Sequence, residues 1–367
     1  NAATDTGTDV LVFGGGYDMC YEYEGFQLGV TSTELKECSN KTSVKGNAVY
    51  IINAKTGALI WSASSDSNNT GSSTTVSTMK NSIVAGVTTL DRDNDGFMDH
   101  IYFADLGGQV FRADFTNAGF KKPVVATATP TAETSFTNTR VTRVLQPAFT
   151  GTNTKYNHRF YERPSVSFYR NPTTSNLFAL VNVISGDRSS PLSKIRDLSK
   201  ADRLYGIMDT DVTRADNIFY ASNFTDTTNT NGQKVVNLTA NNLSTSNLVE
   251  LPSAISPLST TGYTLAQKNT AISTLQGTTK NGWYIPLTNF DGYANVRYTK
   301  GVGKSEVIDS FLYTTVYNPD MSYGTVDSCS AKITGGSERQ LYCLPYGICT
   351  DAASKNGLGG FVRAGKG

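Results

Sequence analysis

Short strand–turn–strand units recur along this chain, and long amphipathic helical periods do not. Ala48-Val49-Tyr50-Ile51-Ile52, a turn at Ala54-Lys55-Thr56-Gly57 and a return at Ala58-Leu59-Ile60-Trp61 make one such unit. Residues 100–115 repeat the plan, with Gly107-Gly108 as the turn and Gln109-Val110-Phe111-Arg112 as the return strand. Arg203-Leu204-Tyr205-Gly206-Ile207-Met208 and Arg339-Gln340-Leu341-Tyr342-Cys343-Leu344 read as further copies of the first strand. The anchoring tyrosines, Tyr50, Tyr102, Tyr205 and Tyr342, lie 52, 103 and 137 residues apart. A unit of about 45–50 residues, taken once, twice and nearly three times, accounts for all of these gaps, and that is the length of a four-stranded propeller blade. The competing reading is coincidence among common strand patterns. The fold expected is all-β: a modified, about seven-bladed β-propeller with long loops, forming a single domain over residues 1–367.

Other segments fit that plan. Asp9-Val10-Leu11-Val12-Phe13 is a short apolar strand closed by Gly14-Gly15-Gly16, read as a tight blade turn. Residues 62–77, 126–138 and 222–246 are rich in Ser, Thr and Asn and read as surface loops. Only residues 193–203 and 264–276 have a helical pattern.

The strand starting at His100 is preceded by Asp91-Arg92-Asp93-Asn94-Asp95-Gly96-Phe97-Met98-Asp99, which puts carboxylates on positions 1, 3, 5 and 9. Position 7, Phe97, can offer only its backbone oxygen. Four like charges so close would repel one another unless a cation sits among them. A hard cation that takes six to eight oxygens suits that order, and Gly96 supplies the sharp turn a wrapping loop needs. Position 12 is Tyr102 rather than the bidentate glutamate of an EF-hand, so the segment reads as a compact Ca2+ loop leading into a strand. The expected ligands are Asp91, Asp93, Asp95, the Phe97 carbonyl and Asp99, with Asp99 the bidentate candidate. The side chain of Asn94 is not among them. The alternative is a polar turn unusually rich in aspartate.

Composition excludes several classes. The net charge is +1 and no basic run occurs, so nothing points to nucleic acid. No apolar run reaches the length of a membrane span. Charged residues make up only 17% against abundant Ser, Thr, Asn and Gly, a balance that suits an extracellular β protein. The chain opens on Asn1 with no visible signal peptide and reads as a mature or excised fragment. The five cysteines, Cys20, Cys38, Cys329, Cys343 and Cys349, form no CxxC pair, and with two histidines they make no convincing zinc site. Their clustering toward the two ends suggests disulfides in an oxidising compartment, Cys20 with Cys38 and Cys329 with Cys343 or Cys349.

Catalytic motifs are missing. Neither His100 nor His158 has a Gly-x-Ser-x-Gly nucleophile nearby, and no phosphate-cradling Gly-x-x-x-x-Gly-Lys occurs. Tyr17-Asp18-Met19-Cys20 after the glycine triplet does not open a helix, which argues against a dinucleotide site. No motif selects a carboxylate pair for glycoside hydrolysis. The run Ser185-Gly186-Asp187-Arg188-Ser189-Ser190-Pro191 could be a recognition loop, but Asp187 and Arg188 read better as pairing with neighbours to fix a turn. No enzyme is expected.

Taken in order, several stretches resemble the C-terminal propeller domain of the type IV pilus tip adhesins of the PilC/PilY family. They are Val12-Phe13-Gly14-Gly15-Gly16-Tyr17-Asp18, residues 46–61, the acidic loop continuing from Asp99 through Ile101-Tyr102-Phe103-Ala104-Asp105-Leu106-Gly107-Gly108 to Gln109-Val110-Phe111-Arg112-Ala113-Asp114, Arg159-Phe160-Tyr161-Glu162-Arg163-Pro164-Ser165-Val166, residues 185–192 with Asp202-Arg203-Leu204-Tyr205, Gly282-Trp283-Tyr284-Ile285, and Cys329 with Leu341-Tyr342. The resemblance implies the C-terminal domain of a larger pilus-associated protein, displayed extracellularly at the bacterial surface or pilus tip (the fimbrium). It implies contacts with pilin or minor pilins and with the host-cell surface, a role in pilus biogenesis, twitching motility, adhesion and virulence, and a bound Ca2+ that acts on pilus retraction. No Arg-Gly-Asp triplet occurs, so no integrin-binding loop is read. Two alternatives carry the same ion. A quinoprotein-like propeller would explain Lys55-Thr56-Gly57 with Trp61, yet the chain has only two tryptophans and no vicinal cysteines. An integrin-like or lectin-like propeller would need acidic loops in several blades, and only Asp209-Thr210-Asp211 begins a second one.

Overall fold

The strands assemble into sheets that follow one another along the chain. The computed structural model describes residues 7–23, 26–33, 35–66, 73–92, 94, 96–115, 139–148, 158–192, 201–214, 241–252, 264–290, 296–323, 333–350 and 361–366. The first sheet takes β1 (Val10–Gly14), β2 (Ala48–Asn53), β3 (Leu59–Ser64) and β4 (Ser73–Thr75) in that spatial order, with β4 parallel to β3. The second is an antiparallel meander of β5 (Thr88–Leu90), β6 (His100–Ala104), β7 (Val110–Phe115) and β8 (Thr139–Leu145). The third contains β9 (Ser165–Arg170), β10 (Leu177–Ile184), β11 (Arg203–Asp209), the two-residue β12 (Val249–Glu250) and β13 (Gly282–Pro286), with β13 between β11 and β12. A two-stranded ribbon, β14 (Thr288–Phe290) and β15 (Val296–Tyr298), leads to the last sheet. That sheet is built from β16 (Lys300–Gly301), β17 (Glu306–Ile308), β18 (Phe311–Tyr323), β19 (Ile333–Cys343) and β20 (Phe361–Lys366).

Local chemistry explains the turns. Between β2 and β3 the Asn53 carboxamide oxygen accepts the amides of Lys55 and Thr56, and between β9 and β10 Asn171 does the same for Thr173 and Thr174. An asparagine side chain that bonds its own backbone two and three residues on holds a hairpin turn without a glycine-rich pair. The described helix, α1 (Leu265–Gln276), starts at Thr264, whose hydroxyl accepts from the Gln267 amide while Gln267 reaches back to the Thr264 N–H. That reciprocal cap bears out the helix read at 264–276. Residues 193–200 lie outside the described residues, and Arg203, the end of the other expected helix, opens β11 instead.

Alternation of side chains then stacks the sheets. Ile101 and Phe103 of β6 pack toward Val49, Ile51 and Trp61 of the first sheet. Tyr102 and Ala104, on the opposite face of the same strand, pack with Val181, Val183, Tyr205 and Ile207 of the third. The far face of the third sheet, including Leu180, Leu204 and Trp283, packs with Leu312, Val316 and Tyr342 of the last sheet and Leu275 of α1. Strands covered on both sides lose the hydrophobic–polar alternation of a half-exposed strand, which is why every residue of β6, β7 and β11 is buried.

The sequence expectations need three corrections. Tyr50 and Tyr102 sit on the second strands of their sheets, and Tyr205 and Tyr342 on the third, so these segments are not copies of a first strand. Only the strands of Tyr102 and Tyr205 are buried on both faces; those of Tyr50 and Tyr342 keep partly exposed positions, Arg339 among them. Residues 62–77 are not all loop, because β3 runs to Ser64 and Ser73–Thr75 pairs beside it; residues 126–138 and 222–240 lie outside the described residues. Cys20–Cys38 is bonded as expected, but Cys343 pairs with Cys349, six residues on, where the turn brings their Cα atoms to 5.0 Å. That spacing suits a disulfide and leaves neither sulfur for Cys329, which lies outside the described residues.

Candidate functional site

The acidic segment closes the gap between β5 and β6. Leu90 pairs with His100, and the Asp99 N–H donates to Leu90 O at 2.9 Å, so the two ends of the segment are fixed side by side by the sheet itself. Asp99 is buried, and its Oδ2 accepts the Arg92 N–H at 2.6 Å. Exposed Asp91 reaches across the loop, its Oδ2 accepting the Gly96 N–H at 2.9 Å. Asn94 at φ +60° and Gly96 at φ +91° bend the chain through left-handed conformations, which glycine adopts freely and asparagine tolerates. Of the sequence-read ligands, Asp91 and Asp99 are thus brought together at the neck of the loop, with Phe97 half-buried along it. Asp93 and Asp95 lie outside the described residues, and among the described residues no three His, Cys, Asp or Glu side chains are grouped to hold a metal. The donor set is oxygen only, which suits a hard cation and not zinc or copper.

A buried charge network, missed in the sequence, lies directly behind the loop. Arg112 on β7 is fully buried, and its Nε donates to Asp114 Oδ1 at 2.7 Å while Nη2 reaches Asp114 Oδ2 at 3.3 Å. Its Nη1 donates to Asp209 Oδ2 at the end of β11 and lies 3.9 Å from Asp211 Oδ2. Asp114 also accepts from Arg140 Nε at 3.0 Å and contacts His100 Nδ1 at 2.9 Å. The Tyr102 hydroxyl donates to Asp209 at 2.8 Å, and Arg214 pairs with Asp211 at 3.0 Å. Burial alone would raise the Asp114 carboxyl, but the Arg112 charge, the His100 hydrogen bond and Arg140 hold it well below the usual carboxylate range. Burial likewise works against the Arg112 charge, and Asp114 and Asp209 more than offset it, pushing its pKa well up. The available signal was Arg112-Ala113-Asp114 inside an otherwise apolar strand, where residues two apart share a face. Asp209 and Asp211, weighed above as the start of a second acidic loop, turn inward to these arginines instead.

Two further sites of interest prove structural. His158 is buried, with Nε2 donating to Ala201 O at 3.0 Å and Nδ1 accepting from the Tyr205 hydroxyl at 2.7 Å. Burial and the nearby Arg203 charge push its pKa down to about 3, so it is a poor base at neutral pH. In the run 185–191, Asp187 accepts from Ser189 N at 3.0 Å and from Arg159 Nη1 at 3.1 Å, while Arg188 bonds Glu162 and the Val302 carbonyl. That bears out the structural reading of Asp187 and Arg188.

The described residues define a class: a mostly β protein of four larger sheets and a two-stranded ribbon, with one described α-helix, two disulfides and an acidic loop between paired strands. No helix among them is long and apolar enough to cross a membrane. The solved C-terminal domain of PilY1 from Pseudomonas aeruginosa matches the chain at a TM-score of 0.43 and 17% identity, over 80% of this chain and 51% of that one. The chain therefore spans about half the length of that structure. Neither a protein-family model nor a curated protein matches it.

Proposed function

We propose that this chain is the calcium-binding, non-catalytic propeller domain of a type IV pilus-associated adhesin, working at the bacterial surface or pilus tip. The observation that carries the reading is the segment 91–99, with its alternating carboxylates, its left-handed bends at Asn94 and Gly96, and its two ends held together by β5 and β6. Asp91, Asp93, Asp95, the Phe97 carbonyl and Asp99 would hold the ion. Bound calcium would supply the positive charge that offsets four closely spaced aspartates. The chain contributes a strand-anchored neck, with Asp99 and Asp91 already turned across the loop by the Arg92 and Gly96 amides. Sheets that follow one another face to face in chain order support the propeller reading. The ordered resemblance to the PilC/PilY family supports pilin or minor pilins and the host surface as partners, and a role in pilus extension against retraction. An ion that binds the ordered loop favours the conformation a partner reads, through mass action.

Calcium titration calorimetry tests the proposal. The intact chain is expected to bind one ion, with a Kd in the range of about 10⁻⁴–10⁻³ M or tighter if the loop is rigid. Asp99→Ala should weaken binding at least about tenfold, since it removes the bidentate candidate. Asn94→Gly is the control, because alanine would be strained at the left-handed φ of Asn94. No binding by the intact chain, or equal losses in the two variants, refutes the assignment. Several ions per chain would favour the lectin-like alternative.

A further inference from the structure

We propose that Arg92 carries the state of the acidic loop into the third sheet, so that cation occupancy of the loop and the order of the turn at 209–214 are linked; this rests on the calcium reading above. Arg92 serves this junction with both its backbone and its side chain. Its N–H donates to Asp99 Oδ2 at 2.6 Å, inside the loop. Its guanidinium leaves the loop, with Nε donating to Val212 O at 2.7 Å and Nη2 donating to Arg214 O, about 120 residues further along the chain. These are planar, charged donors set on two carbonyls of one turn, the bidentate geometry that arginine supplies and lysine does not.

The turn it grips joins two parts of the molecule. Val212 is buried in the core between the second and third sheets, and Asp209 and Asp211 hold the Arg112 network. On its other side, Thr210, Thr213 and Arg214 wall a cavity of about 370 Å³ completed by Phe178, Lys280 and Asn281, among others. Among the described residues no Asp or Glu lines that cavity. A shift of the Arg92 backbone as Asp99 engages a cation therefore acts on the turn and the cavity wall through two hydrogen bonds. By reciprocity, whatever stabilises the turn tightens the loop's hold on its ion by the same factor.

Hydrogen exchange on the intact chain, with and without calcium and alongside calorimetry, tests the link. In the unaltered chain calcium should slow amide exchange at 211–214 by about tenfold or more. In Arg92→Ala, calorimetry should still record one ion, while the calcium-induced slowing at 211–214 falls below about twofold. Arg92→Lys, which keeps the charge and cannot bond both carbonyls, should fall between, and it carries the test if the alanine variant does not fold. Slowing that persists in the variants overturns the proposal. So does calcium binding to the unaltered chain without protection at 211–214, which leaves the loop reading intact. Absence of any binding heat in the unaltered chain overturns both.

Discussion

Arg112→Met offers a test of what joins the second and third sheets. Methionine fills much of the volume of arginine and removes the charge, so the effect isolates the electrostatics. Three buried carboxylates would lose their shared cation. Asp114 would keep Arg140 and His100, Asp209 the Tyr102 hydroxyl and the Asp211 N–H, and Asp211 its pair with Arg214. Removing one partner from a buried ion pair costs about 3–5 kcal/mol, because the other is stranded in low dielectric. At about 2–4 °C per kcal/mol for a large domain, the melting midpoint should fall by roughly 6–20 °C. The deficit should depend on pH with a defined sign. In the unaltered protein the Asp114 pKa is lowered, so its contribution is present above the unfolded value and is lost as pH falls through the folded one. Without Arg112 the ionised Asp114 loses the largest influence that lowers its pKa, so the folded value rises and protonation relieves the penalty. The gap between the two proteins should therefore narrow from pH 7 toward pH 4. Urea denaturation of both proteins across that range measures it, and Arg112→Met with Asp114→Asn and Asp209→Asn should recover most of the loss. A variant within about 1 kcal/mol of the parent at pH 7, or a gap independent of pH, would refute a network held by charge.

Two further tests probe other parts of the fold. At Gly206 an added Cβ would lie 2.2 Å from Cε2 of the fully buried Trp283, so Gly206→Ala should destabilise by about 1–3 kcal/mol or more in chemical denaturation, and an unchanged midpoint would contradict that packing. Burial pushes the Asp105 carboxyl up to about 6, opposed but not cancelled by N–H donors from Gln109, Gly107 and Asn81. A raised carboxyl contributes stability below its unfolded pKa and loses it as pH rises through 6, so Asp105→Asn should gain on the parent by up to about 3 kcal/mol between pH 4 and 7, whereas a constant difference would place the group elsewhere.

Much of the strand pattern was legible because hairpins are local. The apolar runs at 48–52 and 100–104 with their returns, and the capped helix at 264–276, depend on neighbours within a few residues, and the structure has them where the pattern put them. The rank of each strand in its sheet was not legible. Rank depends on pairing with strands far along the chain, so Tyr205 and Tyr342 carried no sign of lying third. Ser73–Thr75 is polar and earns its strand only by pairing beside β3.

The site divides in the same way. The order of carboxylates along 91–99 and the glycine that bends them are one-dimensional facts, and the calcium proposal starts from them. That Arg112 meets Asp209 across 97 residues, and that Arg92 reaches carbonyls about 120 residues away, depends on the second and third sheets packing face to face. Cys343 likewise had two candidate partners, and the turn that follows β19 selected Cys349. Such contacts carry no local signature, because a charged side chain in a strand reads the same whether it meets water or a partner from another sheet.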